Sequence, residues 1–287
     1  MPSLAVLYDP QADNWLHFCD PVEEIEIHAQ DQVMHALDRI EQRVEHEGLY
    51  AAGFVSYESA PAFDEALHTH ANGDFPLLRF GLFKDAKRID LPEPSERLEN
   101  TDWQPQETAV GFSCKVDMIK AAIARGETYQ VNLTFPLTSA CTLDPWNFFL
   151  QLVRGQRASG AGYLRSERWA ICSASPELFF TRDGDLLTMR PMKGTAPRGR
   201  TLEEDLRLAE GLKTSAKNRA ENIMILDMVR NDLGRIAPPG GVNTKEICAL
   251  EKYPTVWQLT STAIARSHAS YGEIFQALFP CASITGA

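Results

Sequence analysis

Glu177-Leu-Phe-Phe-Thr-Arg-Asp-Gly-Asp-Leu-Leu-Thr-Met-Arg-Pro-Met-Lys-Gly-Thr195 reads as two extended runs folded back on each other. Asp183-Gly184 separates Glu177–Arg182 from Asp185–Arg190. Asp-Gly is a pair preferred by a two-residue type I′ turn, whose central positions both need φ > 0. Counting outward pairs Arg182 with Asp185 and Glu177 with Arg190, and leaves Lys193 three residues beyond the partner of Glu177. A strict ladder would set Glu177 and Lys193 on opposite faces, because three is an odd step. Pro176 and Pro191 each remove a ladder donor, so a regular ladder is not expected there, and the facing of the two side chains stays open.

Beyond Lys193, Gly194–Arg200 reads as an open loop, and Thr201-Leu-Glu-Glu204 matches a capping box ahead of a helix. A second helix is expected over Ser215–Asp232, with Glu221 near its start and Gly234 as its stop. Its apolar run Ile223–Val229 is predicted to be buried on most sides. A glutamate beside such a run must be paired, protonated or bound to a cation, because an unpaired buried carboxylate is too costly to keep ionised. The plainer reading of Glu221 is a first-turn group that satisfies a helix N-terminus. Lys193 has two readings as well. As a surface lysine at a strand end it does nothing. As a nucleophile its pKa, ordinarily about 10.4, must fall to about 7, a differential destabilisation of about 4 kcal/mol. Burial, Arg190, Arg198 or a bound metal ion would supply that.

At 287 residues with 44% apolar content, the chain can build a substantial core. A net charge of −11 argues against nucleic acid as a partner, and no Lys/Arg cluster points to an anionic membrane surface. Cys19, Cys114, Cys141, Cys172, Cys248 and Cys281 have neither Cys-x-x-Cys spacing nor a histidine pattern, which reads as free thiols rather than zinc ligands or a disulfide framework. No apolar run approaches 18 residues and the first residues lack a signal-peptide pattern, so the expected location is cytoplasmic.

Taken in order, Ala29–Gly48 carries Val33, Leu37, Ile40 and Val44 at helical spacing, and Leu49–Tyr57 reads as a strand buried on both sides, with Glu58 at its end. Pro76–Phe83 is a further strand. Lys84–Thr108 is polar, contains Pro92, Pro94 and Pro105, and is the best linker, which divides the chain into a sheet-and-helix region at 1–108 and a second region at 109–287. A helix over Ser113–Arg125 stops at Gly126; Tyr129–Phe135 reads as a strand, Pro145–Gln156 as a helix and Trp169–Ser173 as a strand. Gly240–Cys248 and Val256–Ala263 read as further strand and helix material. The rhythm is not that of a βαβ parallel sheet, and neither a P-loop nor Gly-x-Gly-x-x-Gly is present. Phe279–Ala287 looks like a small-residue loop that should introduce a helix, so the chain reads as cut short there.

Four stretches occur in one order over about 115 residues: Ser173-Ala-Ser-Pro-Glu177, Pro191-Met-Lys-Gly-Thr195, Glu221–Arg235 and Cys281-Ala-Ser-Ile-Thr-Gly-Ala287. Together they resemble the chorismate-utilising enzymes, above all those that make 4-amino-4-deoxychorismate. Gly126-Glu-Thr-Tyr-Gln-Val-Asn132 and Gly53-Phe-Val-Ser-Tyr-Glu58 extend the resemblance over most of the chain.

The resemblance implies an α+β, chorismate-binding fold with two packed β-sheets flanked by helices, incomplete at the C-terminus. It also implies that this piece alone is inactive, the rest supplying a second acidic metal ligand, an arginine for a substrate carboxylate and several core strands. Under it Lys193 attacks C2 of chorismate as the C4 hydroxyl leaves, and ammonia from a glutamine amidotransferase then attacks C4 and displaces the lysine. Glu177 is the implied general acid, which needs a raised pKa from desolvation near Leu178 and Phe179; its plainer reading is a strand glutamate paired with Arg190. Glu221 is the implied Mg²⁺ ligand. Gly194, Thr195, Ser283, Thr285 and Gly286 are the implied substrate-binding residues, through backbone N–H groups that cradle a carboxylate. Trp257-Gln258 stands where many relatives have a histidine pair, and no contact is assigned to it. Two other readings remain, anthranilate formation, whose enzymes usually carry alanine at the place of Lys193, and a non-catalytic regulatory or amidotransferase-binding chain.

Overall fold

The computed structural model describes residues 4–71, 73–95, 102–140, 143–156 and 160–287. Cys141 and part of the expected linker lie outside the described residues. The first elements are β1 (Leu4–Asp9), β2 (Asn14–Phe18), β3 (Glu23–Ile27), α1 (Val33–Glu47), β4 (Tyr50–Val55), β5 (Leu78–Phe83) and β6 (Lys87–Ile89). Then come β7 (Gln104–Pro105), α2 (Ala109–Ala124), β8 (Leu137–Thr138), α3 (Pro145–Gln156), β9 (Gly160–Arg165) and β10 (Ala170–Ser175). The last part holds β11 (Leu178–Asp183), β12 (Leu186–Arg190), β13 (Met192–Pro197), α4 (Leu202–Thr214), α5 (Ala216–Gly234), β14 (Val242–Lys252), β15 (Val256–Arg266), α6 (Tyr271–Leu278) and α7 (Ala282–Thr285).

Where two sheets were expected, the described residues form three sheets of three or more strands and one small ribbon, β7 with β8. One sheet runs β10-β9-β1-β2-β6, antiparallel throughout, and joins strands from both sides of residue 108. Residue 108 is therefore no boundary between sheets. A three-stranded sheet runs β3-β5-β4, and α1 lays Val33, Leu37 and Ile40 on Ile25, Leu78 and Leu82. Each such side chain, once fully buried, contributes about 1.5–3 kcal/mol. Gly48 ends α1 in the left-handed conformation at φ 65, its N–H returning to the Val44 carbonyl. β4 is an edge strand of this sheet, and both of its faces are packed, Ala51 and Val55 against the cluster of Leu49, Leu78 and Leu82, and Ala52 in that of Ala5, Phe18 and Phe83.

The third sheet carries the site. β15 is its centre, with β14 along one edge and β12 then β13 along the other. Pro191 sits between β12 and β13; its carbonyl accepts from the Ser261 N–H, so one of the two ladder bonds of that pair forms despite the missing proline donor. From α5, Ile225, Leu226, Val229 and Leu233 pack with Leu187, Met189, Ala263 and Ala265 of the sheet, while α4 sets Ala209 and Leu212 on Trp257 and Leu259. The apolar run of α5 is buried on one face only: Ile223 is 45% exposed and Met228 38%.

The β11–β12 hairpin forms with its turn one residue later than predicted. Asp183 pairs with Leu186, so Gly184-Asp185 is the loop, and of the two only Gly184 takes a positive φ (58). That is the requirement of a type II′ turn rather than I′. An irregularity between Leu178 and Thr181 absorbs the difference and sets Arg190 opposite Leu178, not Glu177. Gly234 is the last helical residue of α5 and has no positive φ, and the cap is Arg235 in the right-handed region. Residues 129–135 make a single bridge, Val131 to Gly286, in place of the expected strand. Gly240–Cys248 and Val256–Ala263 both contribute to strands, β14 and β15. The described cysteines, Cys19, Cys114, Cys172, Cys248 and Cys281, are all free. No helix among the described residues is long and apolar enough to cross a membrane.

Candidate active site

Lys193 is the second residue of β13, where that strand carries one residue more than its partner. Met192 pairs with Thr260 and Thr195 with Gln258, so Lys193 and Gly194 together oppose Leu259. The bulge removes the strict alternation that left the facing of Lys193 open. Gly194 has φ 97, and a Cβ on it would lie 3.1 Å from the Asn218 Cβ of α5. Both backbone conformation and helix approach require glycine there. Asn222, buried in α5, clamps the same strand: its Nδ2 donates to the carbonyls of Lys193 at 3.2 Å and Leu259 at 2.9 Å, while its Oδ1 accepts from the Ser261 hydroxyl.

The Lys193 side chain is half-buried, and its Nζ donates to Asn132 Oδ1 at 2.9 Å. Burial lowers its pKa from the ordinary lysine value, against the opposing charges of Glu177, Glu221 and Cys281. The amine thus stands within electrostatic reach of both carboxylates singled out in the sequence. The arginines expected to depress it are engaged elsewhere. Arg190 is paired with Glu251, and Arg198 donates from Nε and Nη2 to both oxygens of Asp205 at 2.8 and 2.6 Å. Burial alone does the lowering.

Glu177 lies in the break between β10 and β11, its N–H bonded to Ser175 Oγ at 3.2 Å and its Oε1 accepting from the Met192 N–H at 3.3 Å. With Arg190 taken by Glu251, the expected strand pair with Glu177 does not form. Glu221 is on the second turn of α5, not the first, so it does not serve the helix N-terminus; Ser215 does, accepting from the Asn218 N–H. Lys217 lies 3.5 Å from Glu221 but is 81% exposed, a surface pair of little energetic weight.

Ser283, Thr285 and Gly286 come to the same place from the other end of the chain. Gly286 bridges to Val131, and the Thr285 carbonyl accepts from the Asn132 N–H. The N–H groups of Ile284 and Thr285 go to the Cys281 carbonyl, that of Gly286 to Ala282 and that of Ala287 to Gln130. The backbone cradle expected here is therefore bonded within the chain. Ser283 is buried, and its hydroxyl donates to the Cys281 thiol, whose own pKa is raised by burial. Thr195 is exposed and bonds Gln258 across the strands at 3.0 Å. Trp257 turns to the other side and donates to Asp205 at 2.9 Å.

Among the described residues no group of three or more His, Cys, Asp and Glu side chains is disposed to hold a metal ion. Glu221 offers one carboxylate, and Mg²⁺ commonly takes one or two carboxylates with waters and substrate oxygens completing its six positions. Two site residues are missed by the sequence reading, Asn132 and Asn222. The signal for Asn222 is a polar amide facing inward from an apolar helix; Asn132 ends the Gly126–Asn132 stretch, in a run whose pattern predicts only a strand.

The chain matches the family described as chorismate binding enzyme over residues 4–287. It is 41% identical over 191 residues to aminodeoxychorismate synthase component 1 of Escherichia coli, covering 65% of this chain and 42% of that protein. With the Bacillus subtilis protein of the same name it is 38% identical over 182 residues, covering 63% and 39%. The chain thus spans about two fifths of the length of these relatives. An anthranilate synthase component 1 from Haloarcula marismortui is 27% identical over 337 residues, covering 95% of this chain and 67% of that protein. In fold, anthranilate synthase component I from Streptococcus pneumoniae aligns over 100% of this chain and 74% of its own, with a TM-score of 0.80 at 20% identity. Sequence family and fold agree, and the chain belongs to the chorismate binding enzyme family.

Proposed function

We propose that this chain carries the amine-bearing part of a site that converts chorismate and ammonia into 4-amino-4-deoxychorismate, on the route to para-aminobenzoate and folate. One observation carries the reading: a half-buried lysine with a lowered pKa, set among Glu177, Glu221 and the 283–286 segment. The names of the relatives at about 40% identity support it. The neutral amine of Lys193 attacks C2 of chorismate, the ring double bond shifts, and Glu177 gives its proton to the C4 hydroxyl, which departs as water. Ammonia then attacks C4 and the lysine leaves C2. Bound Mg²⁺, held by Glu221, would offset the charge of a substrate carboxylate. Gly194, Thr195, Ser283, Thr285 and Gly286 are proposed substrate contacts on the strength of the resemblance. A glutamine amidotransferase is the proposed ammonia source, in keeping with relatives named as a first component. The free thiols suit a reducing, cytoplasmic compartment.

Anthranilate formation is the second reading, favoured by the Haloarcula relative that spans nearly the whole chain. A product assay separates them. The polypeptide as the cell makes it is given chorismate, Mg²⁺ and an ammonium salt. Aminodeoxychorismate supports the proposal; anthranilate, or no turnover, overturns it. Intact-mass analysis adds the residue: Lys193→Ala is expected to abolish the covalent chorismate adduct, and Glu177→Gln to slow its formation by about 10²–10⁴.

A further inference from the structure

Asn132 has four hydrogen-bonding positions on its side-chain amide, two acceptor and two donor. All four are used. Oδ1 accepts from Lys193 Nζ at 2.9 Å and from Gln130 Nε2 at 3.1 Å; Nδ2 donates to the carbonyls of Ser283 at 2.9 Å and Ile284 at 2.7 Å. The two carbonyls accept only, so they fix which end of the amide is nitrogen and turn the oxygen to the lysine. The Asn132 N–H adds a bond to the Thr285 carbonyl at 3.1 Å.

We propose that Asn132 is a positioning residue that holds the Lys193 amine and the 283–285 segment in one fixed relation through a single uncharged amide. The inference rests on Lys193 being the nucleophile. An amide oxygen accepts from an ammonium and from a neutral amine alike, so the bond survives deprotonation and the freed lone pair points away from Asn132. A carboxylate in the same place would also accept from the lysine, but it would favour the charged form and would turn its second oxygen onto the Ser283 and Ile284 carbonyls. The groups that act on the amine are otherwise Glu177 from the β10–β11 break, Glu221 from α5 and Cys281 ahead of α7, all of which favour its protonation. A further carboxylate would work against the nucleophile, and asparagine avoids one.

The test reads Lys193 directly and without chorismate. In this chain, competitive acetylation by acetic anhydride as a function of pH, followed by mass spectrometry of the Lys193 peptide, gives the amine's apparent pKa and intrinsic reactivity. Asn132→Asp is expected to raise that pKa by about one unit or more, as an opposite charge at hydrogen-bond distance does. Asn132→Leu, close in volume but without polar atoms, is expected to leave the pKa at or below the parent value. In the polypeptide as the cell makes it, Asn132→Leu is expected to lower kcat for adduct formation at least about tenfold with a smaller change in KM, since a misplaced nucleophile loses orientation rather than affinity. An unchanged Lys193 pKa in Asn132→Asp overturns the proposal, as does an unchanged kcat in Asn132→Leu. If Asn132→Leu does not fold, judged by its thermal melt, the titration of Asn132→Asp decides. If the polypeptide as the cell makes it forms no chorismate adduct at Lys193 while this chain shows the Asp-induced rise, the nucleophile reading is rejected and the Asn132–Lys193 contact stands, so the two failures are distinct.

Discussion

An amine that is easy to deprotonate is one the folded chain holds at a disadvantage while it is charged. Burial lowers the Lys193 pKa, so the folded state binds that proton less tightly than the unfolded state does. Stability therefore rises with pH from the lowered folded value up to the unfolded value of about 10.4, and the disadvantage is present in full below that window. Lys193→Met keeps the packing and removes the charge. It is expected to raise Tm by about 1–3 °C at pH 7, with the gap closing as the pH passes about 10.4. Paired melts of parent and variant at about pH 7 and about pH 10.5 check it, and a variant less stable than the parent at neutral pH would mean that the Asn132 bond and the nearby carboxylates outweigh the burial penalty. Such a trade is expected where a site needs a group the fold would not otherwise keep.

At the scale of elements, the site is held by joints between strands and helices. Asp205, the fourth residue of α4, receives two guanidinium nitrogens of Arg198, the Gly199 N–H at 2.8 Å and the Trp257 indole N–H at 2.9 Å. Those bonds tie the loop after β13 to α4 and β15, and Arg198 adds its guanidinium over the Trp257 ring at 5.0 Å. Arg198 holds the Asp205 carboxyl well below the usual carboxylate range. The contribution is present at neutral pH, begins to fade only below the unfolded value of about 3.9, and is lost as the pH falls through the depressed folded value. Asp205→Asn is expected to lower the urea midpoint by about 1 M, because it leaves a largely buried guanidinium without its counter-charge. Urea melts from about pH 7 to about pH 3 should give a constant difference down to about pH 4 and a shrinking one below. Much of this layer is legible in the sequence. The Asp-Gly pair announces the hairpin, Gly48 the end of α1, and Thr201 and Ser215 the starts of α4 and α5. The turn is misplaced by one residue because the irregularity near Phe179 leaves no mark that alternation can detect. Val, Leu and Phe recur over residues 129–135 and so suggest a strand, yet that run makes one bridge, to Gly286, and a few backbone bonds to Thr285 and Ala287 rather than a ladder. The bulge at Lys193-Gly194 depends on pairing with β15, and the joining of Asn132 to Lys193 and Ser283 on contacts 61 and 151 residues apart, none of which a local pattern carries.

Across the whole molecule the packing is uneven, and the unevenness falls beside the site. α5 and β15 form the best-buried joint, with Ile225, Val229, Leu233, Leu259 and Ala263 at 0% exposure. α2, with 16 residues, buries none of them. Its Val110 is 75% exposed and its Met118 71%, and Tyr129 just beyond it is 74%. A helix of that length in water draws most of its stability from a packed face. α2 has no buried face; its Thr108 cap, the Lys115–Glu107 ion pair and a ring contact of Phe112 with Phe135 are what it has instead. Local opening is governed by how much buried surface an element must give up, so α2 should open far more readily than the α5–β15 joint. Hydrogen exchange read by mass spectrometry is expected to show α2 peptides exchanging at least about tenfold faster than those of α5 and β15. The Gly126–Asn132 stretch is the informative boundary. It leaves α2 and enters the network that holds Lys193, with Thr128, Gln130 and Asn132 all bonded to the 283–287 segment. Protection should therefore rise between Ile123 and Asn132, within one or two overlapping peptides. Uniformly fast exchange through Asn132 would mean that the amide holding the amine opens together with the helix before it, and Asn132→Leu would then leave the exchange of residues 283–287 unchanged. If the network is a joint of its own, the same substitution should speed exchange at 283–287 and leave α2 as it was.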